Sequence, residues 1–160
     1  LVGTSVTSFD IDTPDLYNTG QSQASGTTAA EMRYAVQLGT SPGTLYNGIQ
    51  SQLTTLGLGS TLTPADVALR AQALSCAGCH RLNNNVAVGG GLTWPASLGF
   101  THVTERETEV VSGETRFRIS DALINALLPA RKAIFEDSLN NRPRPSKGPT
   151  HPLNGWRTHG

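Results

Sequence analysis

The sequence predicts a mostly α-helical chain with a small β-hairpin and long irregular N- and C-terminal segments. Three observations lead there. Several stretches repeat apolar residues at helical spacing, and two of them open on capping signals. One stretch, 101–120, alternates with period two instead. Residues 1–27 and 141–160 show no such period. The expected organisation is an extended N-terminal arm (1–27), one domain (28–140) and a Pro-rich basic tail (141–160).

A length of 160 residues suits one domain, or a small core with appendages. The hydrophobic fraction is 37%, with 17 Gly and 9 Pro, so a modest core and much irregular structure are expected. Net charge is zero, and no global field argues for nucleic acid or an anionic membrane surface. No apolar run reaches the length of a spanning helix. The chain starts at Leu1 without a signal-peptide pattern, which reads as a mature exported form or a fragment of something longer.

Taken in order, 28–39 reads as a helix. Thr28 caps it, Glu31 completes the capping box, Met32 and Val36 share its apolar face, and Gly39 stops it. Residues 41–57 read as a second, with Leu45, Ile49 and Leu53 in one row and Gly48 weakening the middle. The third is the best marked: Thr63 caps, Pro64 takes the first helical position and Asp66 closes the box, with the helix expected to run straight into Cys76. Residues 83–100 hold too much Gly for regular structure and read as a wrapping loop. In 101–120 a turn falls near Ser112-Gly113, and Phe117 and Ile119 alternate with Arg116 and Arg118. A last helix spans 121–140 with two apolar rows: Leu123, Leu127 and Ile134, and beside it Ile124, Leu128, Phe135 and Leu139. Pro129 should kink or split it. The tail has four Pro, four Lys/Arg and no acid.

The chemistry concentrates in CAGCH, residues 76–80, which holds both cysteines. A zinc site needs about four ligands, and no second Cys/His pair follows; His102, His151 and His159 are scattered. A redox pair of thiols belongs at a helix N-terminus after a strand, whereas here a capped helix precedes the motif. The spacing C-x-x-C-H is also the attachment sequence of c-type haem. Two thiols three residues apart can each reach a vinyl group on one macrocycle edge, and the adjacent imidazole then lies over the iron. Gly78 would leave room for the ring edge. Both cysteines are used, as suits an exported protein.

On CAGCH (76–80), the helix leading into it and the helix at 121–140, the chain resembles the c-type cytochrome superfamily over about 62–140. That resemblance implies a cytochrome c-like, mostly α haem domain with one covalent haem c. It assigns the vinyl attachment to Cys76 and Cys79 and the proximal iron bond to His80. Trp94 and Phe100 are expected to pack on the porphyrin, and Pro95 to offer a carbonyl to Nδ1–H of His80. Arg81, Arg116 and Arg118 are candidates to pair with propionates, and the acidic run ERETE (105–109) is a candidate docking patch.

The resemblance also implies a methionine downstream of the motif as second axial ligand, and this sequence has none. Three alternatives stand: His102; Met32; or an iron left open, or ligated by His151 or His159. A thioether raises the potential and a second imidazole lowers it. The expected function is a mono-haem electron carrier rather than an enzyme, in the periplasm or exterior of a bacterium, with redox proteins as partners. The alternatives are a haem sensor or peroxidase-like enzyme with an open distal site, or a subunit of a multimeric electron-conducting assembly joined through its terminal segments.

Overall fold

The computed structural model describes residues 1–10, 33–38 and 43–141. Helix α1 (Tyr34–Leu38) and α2 (Thr44–Thr55) precede α3 (Pro64–Ala73). A π-helical turn, Gly78–Leu82, carries most of the cysteine motif. Strands β1 (Val103–Val111) and β2 (Glu114–Ile119) form an antiparallel hairpin. A second π-helical turn, Leu123–Leu127, leads into α4 (Leu128–Asn141).

The mostly α, cytochrome c-like expectation is corrected by this arrangement. The described residues are about 50% helix and 15% strand, a mixed composition with a two-stranded sheet. Two physical reasons account for it. The β-branched and alternating stretch commits 103–111 and 114–119 to extended backbone. Two of the helical runs, the second and the third, are also shorter than their patterns. The third does not reach Cys76: α3 ends at Ala73, Leu74 caps it, and the Ser75 hydroxyl turns back to the Gln72 carbonyl at 2.6 Å.

Local signals that the structure reproduces are capping and turn chemistry. Thr63 accepts from the Asp66 N–H while the Asp66 carboxylate accepts from Thr63 N–H at 2.8 Å, with Pro64 at the first helical position. Ser112 and Gly113 both take positive φ, 54° and 86°, the geometry of a tight hairpin turn. The break before Pro129 is the second π-helical turn: the Leu128 N–H bonds the Leu123 carbonyl five residues back. Thr28, Glu31, Met32 and Gly39, with half of the first predicted helix, lie outside the described residues, as do 142–160. Helix α2 begins at Thr44 on Gly43, which gives no side-chain cap.

Helix α3 is the hub. It packs against α1, α2 and the π-helical turn of the motif. The core gathers Phe9, Ala73, Cys79, Val88, Trp94, Ala122 and Ala126. Residues 1–10 of the N-terminal segment are docked on it: Phe9 stacks on Trp94 with ring centres 6.1 Å apart.

The link between these parts is Arg70, 1% exposed. Its guanidinium donates to four carbonyls: Val88 at 2.7 Å, Leu1 at 2.8 Å, Gly89 at 2.9 Å and Gly3 at 3.0 Å. It also lies 4.7 Å over the Phe9 ring. One buried cation thus joins α3, the N-terminal residues and the Gly-rich loop. That loop closes on itself through Asn85 N–H to the Trp94 carbonyl and Trp94 N–H to the Val86 carbonyl.

The apolar rows of the last helix stay largely uncovered among the described residues. Ile134, Phe135 and Leu139 are exposed, while Ala122 and Ala126, on the segment before α4, enter the core.

Candidate functional site

The motif sits where α3 has ended and the chain turns under it. Gly78 lies against the Gln72 carbonyl, and a Cβ there would collide with that backbone. The missing side chain therefore accommodates the chain's own helix end rather than an outside ring edge. Below it, the Gln72 side chain donates to Asn83 Oδ1 at 2.6 Å and accepts from Tyr34 N–H at 2.8 Å. Asn83 in turn donates to the Leu69 carbonyl. This buried amide pair fixes the turn to α3.

The turn widens at Gly78, where the Asn83 N–H bonds the Gly78 carbonyl at 2.9 Å. The two thiols of the motif differ in exposure: Cys76 is exposed and Cys79 is buried. Burial is the main cause that raises the Cys79 thiol pKa; the Trp94 indole lowers it in part and Cys76 raises it. The Trp94 Nε1–H is buried without a hydrogen-bond acceptor among the described residues.

Two imidazoles meet beside Cys79. His80 and His102 have ring centres 4.4 Å apart, tilted by 36°. Each is held at Nδ1. His80 Nδ1 lies 3.1 Å from the Gly99 carbonyl, an acceptor that fixes the proton there. His102 Nδ1 lies 2.8 Å from Ser120 Oγ. Nε2 of His102 is 3.6 Å from the Cys79 sulfur. Backbone contacts fix both residues further: Ser97 Oγ donates to the His80 carbonyl at 2.6 Å, and Ser120 N–H to the His102 carbonyl at 2.7 Å. Burial first, then His80, holds the His102 pKa below the ordinary histidine value.

Several predicted site residues stand elsewhere. The acceptor of His80 Nδ1 is the carbonyl of Gly99, not that of Pro95. Trp94 is a core residue, 1% exposed, stacked on Phe9. Phe100, by contrast, is 89% exposed in the loop that carries His102. Arg116 pairs with Glu109 and Arg118 with Glu107, each at 2.8 Å, so these two guanidiniums serve the hairpin and take up part of the ERETE charge. Met32, His151 and His159 lie outside the described residues. Sequence reasoning missed Ser97, Gly99 and Ser120. The only available signal was their closeness in sequence to His102 or to the start of the last helix.

A haem iron takes four bonds from its porphyrin and needs two from the protein. The donor set meets that need: two imidazoles with Nδ1 tied to the protein leave Nε2 for a metal. The Cys79 thiol lies beside His102, and the exposed Cys76 thiol stands three residues earlier in the chain. Two features fall short, the burial of Cys79 and the ring spacing. Two imidazoles sharing an ion through bonds of about 2 Å stand with centres roughly 6 Å apart, so the pair would part by roughly 1.5 Å. A bare ion asks for more ligands, and among the described residues no group of three or more His, Cys, Asp or Glu is placed to hold one. An apolar groove of about 590 Å³, lined by residues that include Tyr34, Leu45, Ile49 and Val67, contains none of the motif.

No protein-family model matches the chain, and neither the curated proteins nor the solved structures give a significant match.

Proposed function

We propose that this chain is a c-type haem protein that carries single electrons. Cys76 and Cys79 would hold one haem c through thioether bonds, with His80 as the proximal iron ligand and His102 as the second. The observation that carries this reading is the convergence of His80 and His102 beside Cys79, each with Nδ1 engaged by the protein. The group supplies an iron that cycles between Fe(III) and Fe(II).

The remaining work belongs to the chain. The Gly99 carbonyl keeps the His80 proton on Nδ1 and frees Nε2. Ser97 and Ser120 anchor the backbone of the two ligands, so both rings keep their direction through a change of charge on the metal. Two neutral imidazoles favour a low potential, and no side-chain acid or base is required. Thioether attachment takes place outside the cytoplasm, so the reading places the protein in the periplasm or at the cell exterior, with redox proteins as partners.

The test is the visible spectrum of the dithionite-reduced protein before and after CO. Acid extraction of the same sample shows whether the haem is covalently held. Covalent haem with a spectrum indifferent to CO supports the reading. Haem lost on extraction removes the c-type assignment, and a prompt Soret shift replaces the carrier with a sensor or enzyme having an open distal site.

A further inference from the structure

Ser120 stands at the junction of three structures. It follows β2, and it is 1% exposed. Its hydroxyl accepts from Leu123 N–H at 3.1 Å, which caps the start of the last helical segment. The same hydroxyl lies 2.8 Å from His102 Nδ1, and its N–H holds the His102 carbonyl. A helix cap needs only the first of these contacts. The other two grip one residue at both its ring and its backbone, and that residue's Nε2 faces the Cys79 sulfur.

We propose that Ser120 is a positioning residue for His102, fixing the ring through Nδ1 and so setting how strongly Nε2 donates to iron. This rests on the reading of His102 as the second iron ligand. A ligand that binds through Nε2 carries its proton on Nδ1, where it donates to Ser120 Oγ. An acceptor at that position increases the electron density of the ring and favours Fe(III). The arrangement differs from that of His80, whose acceptor is a backbone carbonyl that no substitution removes. Of the two imidazoles, His102 is therefore the one whose strength a side chain adjusts.

The experiment compares wild type with Ser120→Ala, Ser120→Thr and His102→Ala in the haem-loaded protein, by spectroelectrochemistry. Ser120→Ala is expected to raise the Fe(II):Fe(III) ratio at fixed ambient potential roughly tenfold, about 59 mV for one electron. Ser120→Thr restores the wild-type value, because its hydroxyl is kept. In the haem-free chain, ¹⁵N ring shifts give a second readout: Ser120→Ala changes the His102 tautomer ratio, and Ser120→Thr does not. If Ser120→Ala fails to fold, Ser120→Cys replaces it with the same expectation, since a thiol is a poor acceptor. A role confined to capping lowers the melting temperature and leaves the potential in place, which overturns the proposal. An unchanged potential in Ser120→Ala, with His102→Ala turning the iron five-coordinate, overturns this inference alone. Absence of covalent haem, or a His102→Ala spectrum equal to wild type, overturns the reading beneath it and this inference together.

Discussion

The Cys79 sulfur and Nε2 of His102 lie 3.6 Å apart, across a gap of 23 residues in sequence. The contact brings the π-helical turn to the foot of the hairpin. It also buries one thiol of the pair while its partner three residues earlier remains in solvent.

That asymmetry predicts unequal thiol chemistry. In the haem-free folded chain, iodoacetamide should modify Cys76 at least about tenfold faster than Cys79, whose thiolate burial disfavours. Timed alkylation with peptide mass spectrometry measures the ratio. Equal rates would mean that the turn does not separate the two.

Arg70 predicts a large stability effect. Arg70→Met removes the donors to four carbonyls at once and should cost about 3 kcal/mol or more. Arg70→Lys recovers only part, because an ammonium cannot reproduce the planar fork. Urea midpoints of the three proteins decide it.

Gly78 predicts a steric effect that needs no haem. Gly78→Ala drives a methyl into the Gln72 carbonyl and should destabilise the haem-free chain by about 2 kcal/mol or more. If only haem incorporation suffered, with the stability of the haem-free chain unchanged, the packing account of this glycine would fail.

His102 predicts a direction of pH dependence. Its folded pKa lies below the unfolded value of about 6.5, so between those two values the unfolded chain binds a proton that the folded chain refuses. Stability of the haem-free protein is therefore complete above about pH 6.5. It is lost as pH falls below that point, and this group's share stops changing beneath the folded pKa. Urea titrations across the range should show this slope reduced in His102→Asn.

The features legible in the sequence were those with local causes. Thr63, Pro64 and Asp66 form their cap within one turn of helix, and Ser112-Gly113 needs only its own φ angles. Pro129 announces a break because the missing N–H is its own. CAGCH was readable as a spacing, and His102 as the nearest later donor. What the sequence did not disclose depends on distant partners. Arg70 looks like a surface residue on an amphipathic helix, yet Leu1, Gly3 and the 88–89 loop enclose it. Trp94 follows a Gly-rich stretch and suggested a lining residue, but Phe9, far away in the chain, draws it into the core. The fold class was misjudged because periodic patterns overstated the second and third helices, which end at Thr55 and Ala73, while the hairpin takes up the chain between them and the last helix.

The widened turn at Gly78–Leu82 gives the motif a sensitivity to length rather than to composition. Each residue in a helical turn advances the chain by about 100°, following from 3.6 residues per turn. Deleting Arg81 or Leu82 would convert the wide turn to a regular one and rotate His80 by that amount relative to Asn83 and the loop beyond. Substituting exposed Arg81 would leave the backbone path alone. Either deletion should therefore abolish the meeting of the two imidazoles even though every cysteine and histidine is retained.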